Sequence, residues 1–256
     1  MCDLLLVSFS TVYRAPRTLY RFMERSIEKG DIDGWGLGFF LSNRRGVVIK
    51  DVDMDVERKR AGKLFRESIR LIESEIIIAH FRLATRKHIY GGRYAHPFKA
   101  HFLGEDWIFA HNGFSEDILR YRTSGKRIHT RPDFDSPFVF EYIRDRMVEY
   151  LERNVDAGLF NAVKYAVKNL YGEYSGFYNF VLANSNVAFF NLDYKHPHNN
   201  ELYIRFKRGG PVDRVIVMTT VKDLTPDNWI TIRPKEGYRG KLLMVSEGEL
   251  LASEDI

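Results

Sequence analysis

The β-rich runs of this chain fall into two batches, and two helical stretches separate them. The first batch comprises Asp3–Phe9, "GWGLGFFL", "VVIKDV", "IIIAHF" and "WIFAH". The second comprises "FYNFVLA", "VAFFNL", "ELYIRF", "RVIVMTT" and "KLLMVSE". Between them, apolar spacing predicts helices near Ser136–Arg153 and Leu159–Leu170, and within the first batch further helices near Arg17–Lys29 and across Asp55–Ser74. Strands grouped apart from helices, rather than alternating with them, argue for an α+β fold in which helices cover sheet faces. Gly30 stops the first helix, "SNRRG" reads as a turn, and the "NG" directly after "WIFAH" predicts another turn.

No Pro/Gly/Ser-rich linker, low-complexity run or repeat divides the chain, so residues 1–256 read as a single domain. Hydrophobic residues at 45% and charged residues at 29% suit a globular chain with a sizeable core. No apolar run approaches the ~18 residues of a membrane span, so no membrane association is expected. Leu4–Val7 is too short for a secretory signal and lacks its basic flank and cleavage site. A single cysteine excludes a disulfide framework and a thiolate zinc site and fits a reducing, cytoplasmic setting. The net charge of +5 is spread among opposite charges, as in "DVERKRAGKLFRE", and reads as a solvated surface. The basic stretch 119–132, with Tyr121 and His129 interleaved, has the composition of a polyanion contact. It reads better as an exposed helix end and hairpin, and nucleic acid is not an expected partner.

The one cysteine stands at position two. It is either the frayed edge of the first strand or a chemical group. Once Met1 is removed, Cys2 carries a thiol and a free α-amino group, a nucleophile and a base on one residue. In "AHFRLAT" a guanidinium leaves a buried strand; Arg82 either forms an internal salt bridge or holds a ligand carboxylate, with Thr85 adding a hydroxyl. In "FAHNGF" the Asn-Gly pair is either a plain turn or an oxyanion hole made by the Asn112 amide and the Gly113 N–H. The glycines of "GDIDGWGLGFF" lack the G-x-G-x-x-G spacing that opens a helix, so they mark close backbone approach or a bulge, and no nucleotide cofactor is expected. His80, His88, His96, His101 and His111 match no helical ligand spacing, and no metal is expected.

Taken in order, Cys2, "DGWG", "RLAT", "HPF", "HNG" and Asp135 in "DFDSP" resemble the class II glutamine amidotransferases, within the N-terminal-nucleophile hydrolases, and in particular their stand-alone branch. The resemblance covers essentially the whole chain and implies a four-layer αββα sandwich. It implies Cys2 as nucleophile, Asn112 and Gly113 as the oxyanion hole, Arg82 with Thr85 on the α-carboxylate of glutamine, and Asp135 on its α-ammonium. Gly34 and Trp35 of "DGWG" join the substrate-binding set. The implied partner is glutamine or another γ-glutamyl small molecule, with a separate synthase or a homo-oligomer as further possibilities. Three departures bear on the acceptor and the donor. Lys29-Gly30-Asp31 stands where synthase-linked relatives have an Arg-Gly pair, Tyr94 replaces Asn in the Asn-Ala-His-Pro pattern, and Pro137 stands where an acidic residue often follows the substrate-binding Asp. The expected activity is hydrolysis of the glutamine side-chain amide through a γ-glutamyl thioester. The alternatives are hydrolysis of another γ-glutamyl amide, or a non-catalytic glutamine-binding subunit of a larger complex.

Overall fold

The computed structural model describes residues 2–55, 60–84, 91–123, 125–128, 134–222, 224–225 and 228–256. In chain order the first part holds β1 (Asp3–Tyr13), α1 (Pro16–Glu28), β2 (Trp35–Phe40), β3 (Gly46–Asp51), β4 (Met54–Asp55), β5 (Arg60–Ala61), α2 (Lys63–Leu71), β6 (Ser74–Phe81), β7 (Phe98–Phe102) and β8 (Glu105–Phe114). Then come α3 (Ser136–Arg153), α4 (Leu159–Glu173), β9 (Phe177–Ala183), β10 (Ala188–Asp193), β11 (Leu202–Arg208), β12 (Arg214–Thr219), β13 (Ile230–Ile232), β14 (Gly240–Ser246) and β15 (Glu249–Asp255).

A seven-stranded sheet runs β13-β11-β12-β1-β6-β2-β3, and a six-stranded sheet runs β15-β14-β10-β9-β8-β7. The side-chain alternation of β1 explains why its stretch Leu4–Val7 is apolar at every position rather than at every second one. Leu5 and Val7 face α1 and α2, in a core with Leu19, Phe22, Phe65 and Ile69. Leu4 and Leu6 face the other sheet, in a core with Ile76, Ile78, Ile108, Val181 and Phe190. The six-stranded sheet presents Trp107, Phe109, Phe180 and Phe189 to α3 and α4. Strands buried on both faces and helices on the two outer faces make the four-layer αββα sandwich of an α+β protein.

Helix α1 begins with Pro16, whose missing N–H costs nothing in the first turn, and buries Leu19, Phe22, Met23 and Ile27 on one face. Gly30, at φ +94°, turns the chain away behind it. Two expectations are corrected. Helix α2 is shorter than the predicted Asp55–Ser74, because the chain pairs at β4 and β5, enters the helix only after Gly62, and is extended again at Ile72. The "NG" after "WIFAH" is not a turn. Strand β8 continues through it, with Asn112 opposite Asn179 and Gly113 opposite Tyr178 on β9. A Cβ at position 113 would sit 2.1 Å from the Phe177 carbonyl oxygen and 2.2 Å from the His111 ring, so close approach, not a turn, requires the glycine. Among the described residues, no helix is long and apolar enough to cross a membrane.

Candidate active site

Strands β1 and β6 are antiparallel, so the start of one meets the end of the other: Asp3 pairs with Phe81 and Leu4 with His80. Trp35 at the start of β2 pairs with Phe81 from the far side. The chain leaving β6 therefore passes Cys2, whose thiol donates to the Leu83 carbonyl at 3.5 Å. The backbone of Arg82 is fixed on both sides. Its N–H donates to the Gly34 carbonyl at 2.8 Å, and its own carbonyl accepts from the Asp33 N–H at 2.8 Å. The Asp33 carboxylate accepts the Ala84 N–H at 2.7 Å and completes the bracket.

From the opposite sheet, β8 and the first turn of α3 reach the same place. Cys2, Arg82, Gly113 and Asp135 line one cavity, together with His96, His111 and Ser136. Leu83, Tyr94, Phe114, Leu119 and Phe134 form an apolar wall. The Arg82 guanidinium lies over the Tyr94 ring at 6.0 Å, and Tyr94 meets Phe134 edge-on at 5.0 Å. The Asp135 carboxylate accepts the Ser115 N–H at 2.9 Å and the Ser136 hydroxyl at 3.4 Å. Burial raises Asp135 to about 6, against the pull of these donors. Burial first, and the nearby Asp31 carboxyl second, push the Cys2 thiol up to about 12. At neutral pH the resting group is the thiol, and attack requires a base within reach.

Asn112 does not line the cavity. Its side-chain N–H donates to the Cys2 carbonyl at 2.6 Å, and its Oδ1 faces Nε2 of His196 at 3.3 Å. Asn199 donates to the same Cys2 carbonyl at 2.9 Å. Sequence reasoning missed His196 and Asn199. The available signal was the run "KHPHNN" between two apolar strands, where a surface loop is expected but His196 and Asn199 are buried. Gly34 and Trp35, expected as substrate contacts, do not line the cavity. Trp35 is fully buried in the core with α1 and α2, edge-on to Phe65 at 5.1 Å, while its indole N–H donates to the Asp53 carbonyl at 3.1 Å. Thr85 lies outside the described residues, as do His88 and His129.

The glycines of "GWGLG" do mark close approach. A Cβ at Gly36 would fall 1.9 Å from the His96 carbonyl oxygen, so the bare strand admits the "HPF" segment. That segment brings His96 within 4.4 Å of His80 and 6.4 Å of His111, ring centre to ring centre. His101 is instead at the surface beside Asp106, at 3.1 Å. Among the described residues, no group of three or more His, Cys, Asp or Glu side chains is arranged to hold a metal ion.

The chain is similar to a candidate glutamine amidotransferase of Haemophilus influenzae, 25% identical over 187 residues, which cover 72% of this chain. The chain spans 60% of the length of that curated relative. Among solved structures, a predicted glutamine amidotransferase from Pseudomonas aeruginosa superposes with a TM-score of 0.62 at 20% identity, covering 98% of this chain and 100% of that one. The glutamine phosphoribosylpyrophosphate amidotransferase of B. subtilis superposes with a TM-score of 0.61 at 16% identity, covering 99% of this chain and 49% of that one. These likenesses establish the fold. The sequence pattern of the "Glutamine amidotransferases class-II" matches residues 1–255, and on that match this chain belongs to the class II glutamine amidotransferases.

Proposed function

We propose that this chain, as one catalytic unit, hydrolyses the side-chain amide of glutamine to glutamate and ammonia, with Cys2 as nucleophile once Met1 has been removed. The observation that carries this reading is the convergence on one cavity of a thiol, a guanidinium and a buried carboxylate, Cys2, Arg82 and Asp135. An α-amino acid needs the last two for its carboxylate and ammonium. The thiol of the first needs a base, and the α-amino group exposed by methionine removal, with an ordinary pKa near ~8, supplies one. That amine takes the thiol proton as sulfur attacks the δ-carbonyl carbon. The Gly113 N–H, at the cavity wall, meets the developing oxyanion, and the second N–H of the Asn112 amide, whose side chain lies outside the lining in this structure, is the other donor this reading assigns. Collapse expels ammonia, which takes the proton from the amine. Water then adds to the γ-glutamyl thioester and releases glutamate and the free thiol.

A second reading rests on the apolar wall of Leu83, Tyr94, Phe114, Leu119 and Phe134. A wall of that area suits a γ-glutamyl amide carrying an apolar substituent better than it suits glutamine alone. In both readings the chain works either as a free-standing hydrolase or beside a separate synthase that receives the ammonia.

One experiment tests both. Intact mass establishes whether Met1 is gone, and the same sample is assayed on glutamine and on a panel of γ-glutamyl amides. Turnover of glutamine supports the first reading, and turnover of a substituted amide with glutamine untouched supports the second. A Met1-free chain that hydrolyses no donor contradicts both as a stand-alone activity.

A further inference from the structure

We infer that His196, a residue outside the cavity, is the positioning residue that fixes the Asn112 amide and, with Asn199, clamps the main chain of the nucleophile. The inference rests on the amidohydrolase reading for its kinetic consequence, but not for its geometry.

The tautomer of His196 follows from its neighbours. Its Nδ1 accepts the backbone N–H of Asn199 at 2.9 Å and that of His198 at 3.3 Å. A nitrogen that accepts carries no proton, so in the neutral ring the proton sits on Nε2. Nε2–H then points at Asn112 Oδ1, 3.3 Å away. Burial holds His196 well below its ordinary value, at about 4, so the neutral ring persists at working pH. An amide whose oxygen receives that proton must turn its NH₂ the other way, and there it finds the Cys2 carbonyl at 2.6 Å. One amide hydrogen is used on Cys2; the other is held in a set direction. A free Asn side chain would flip between two orientations, one of which aims oxygen at the Cys2 carbonyl and loses both contacts.

The clamp is itself anchored. The Asn199 side chain donates to the Cys2 carbonyl, and its backbone carbonyl accepts from the Asn179 amide at 2.5 Å. Asn179 Oδ1 accepts the Asp193 N–H at 2.7 Å. The buried Asp193 carboxylate is gripped by Arg239 at 3.2 Å to each oxygen. The Phe177 ring stands edge-on to His196 at 4.6 Å and closes its open face. A run of hydrogen-bonded side chains thus leads from β10 to the carbonyl of Cys2, and such connected networks favour one geometry.

Two substitutions separate positioning from mere architecture, because each keeps one half of the ring. His196→Gln can place an N–H where Nε2–H was and loses the acceptor for the loop. His196→Asn keeps the acceptor and loses the N–H toward Asn112. A positioning role predicts that His196→Asn lowers kcat by about tenfold or more at nearly unchanged KM, whereas His196→Gln stays within about threefold of wild type. A purely structural role predicts the reverse order, because the loop contacts survive only in His196→Asn. Long-range ¹H–¹⁵N spectra of the wild-type ring give a readout that needs no turnover, and they should report the Nε2–H tautomer. The same variant order is expected in the rate of Cys2 alkylation by iodoacetamide. A wild-type chain that turns over no γ-glutamyl amide, yet shows this tautomer and this alkylation order, would overturn the amidohydrolase reading and leave the positioning role standing. An Nδ1–H tautomer, or the reversed order in either rate, overturns the positioning role whatever the wild type hydrolyses.

Discussion

The side-chain amide of Asn112 donates to the main-chain carbonyl of Cys2 at 2.6 Å, joining residues 110 positions apart across the two sheets. Because Cys2 precedes the first strand, little else of its own segment holds it, and the contact sets where the thiol stands. Asn112→Ala removes that contact and, on the proposed mechanism, an oxyanion donor with it. It is expected to lower kcat roughly a hundredfold with a smaller effect on KM. Steady-state kinetics on the best donor check this, and an effect confined to stability would reduce Asn112 to architecture.

Arg82 and Asp135 should instead act on binding. Arg82→Lys keeps the charge but loses the planar fork, so KM should rise about tenfold or more with kcat little changed. Asp135, raised to about 6 by burial, must be ionised to hold an ammonium. KM should therefore climb as pH falls through about 6, and Asp135→Asn should have a high KM that no longer changes there. A KM for wild type that is flat across that range would remove Asp135 from the binding set.

Buried histidines make the fold sensitive to acid. Burial depresses His80 and His111 to about 3, His196 to about 4, and His96 well below its usual value. Unfolded, each takes a proton near ~6.5. Their contribution is whole above that pH and is lost as pH falls toward the folded values, because unfolding then takes up protons. Asp31 and Asp135, both raised first by burial, act in the opposite sense and offset part of the slope. Four groups against two leave a net uptake of protons on unfolding near pH 5, so stability falls as pH drops toward 5. Urea titrations at pH 7 and pH 5 measure this directly, and undiminished stability at pH 5 would contradict it.

Gly36→Ala tests the close approach on which the "HPF" segment depends. A Cβ only 1.9 Å from a backbone oxygen cannot be relieved by a side-chain rotation. The expected cost is about 3 kcal/mol or more, with His96 displaced from His80. A variant as stable as wild type would show that the strand and the loop can separate freely.

The layered fold was legible because apolar spacing is local: α3 spans the Ser136–Arg153 that its sequence predicts, and β9 is the run "FYNFVLA". Among the strands the sequence did not reveal, β7, β13 and β15 are sheet edges with exposed positions that dilute any alternation, and β4 and β5 are only two residues long. Asn-Gly was misread as a turn because its glycine answers to a neighbouring carbonyl, a tertiary fact invisible to a dipeptide rule. Within the site, Cys2 and Arg82 drew notice because a thiol or a charge in an odd place carries its own signal, whereas Asp135 came only from the family resemblance. His196 and Asn199 carried none strong enough, since their importance comes from partners 84 and 197 residues away. Trp35 shows the other side of this: the resemblance placed it with the substrate, while its ring packs in the core with α1 and α2.

The central claim is that Cys2, freed of Met1, is the nucleophile of a γ-glutamyl amide hydrolase. The most direct measurement is peptide mapping of the chain after treatment with a diazo-ketone analogue of glutamine, alongside intact mass. The account predicts one added group per chain, on Cys2, in Met1-free molecules only, with ammonia release lost in proportion. A label on any other residue, or equal labelling of chains that retain Met1, would contradict it.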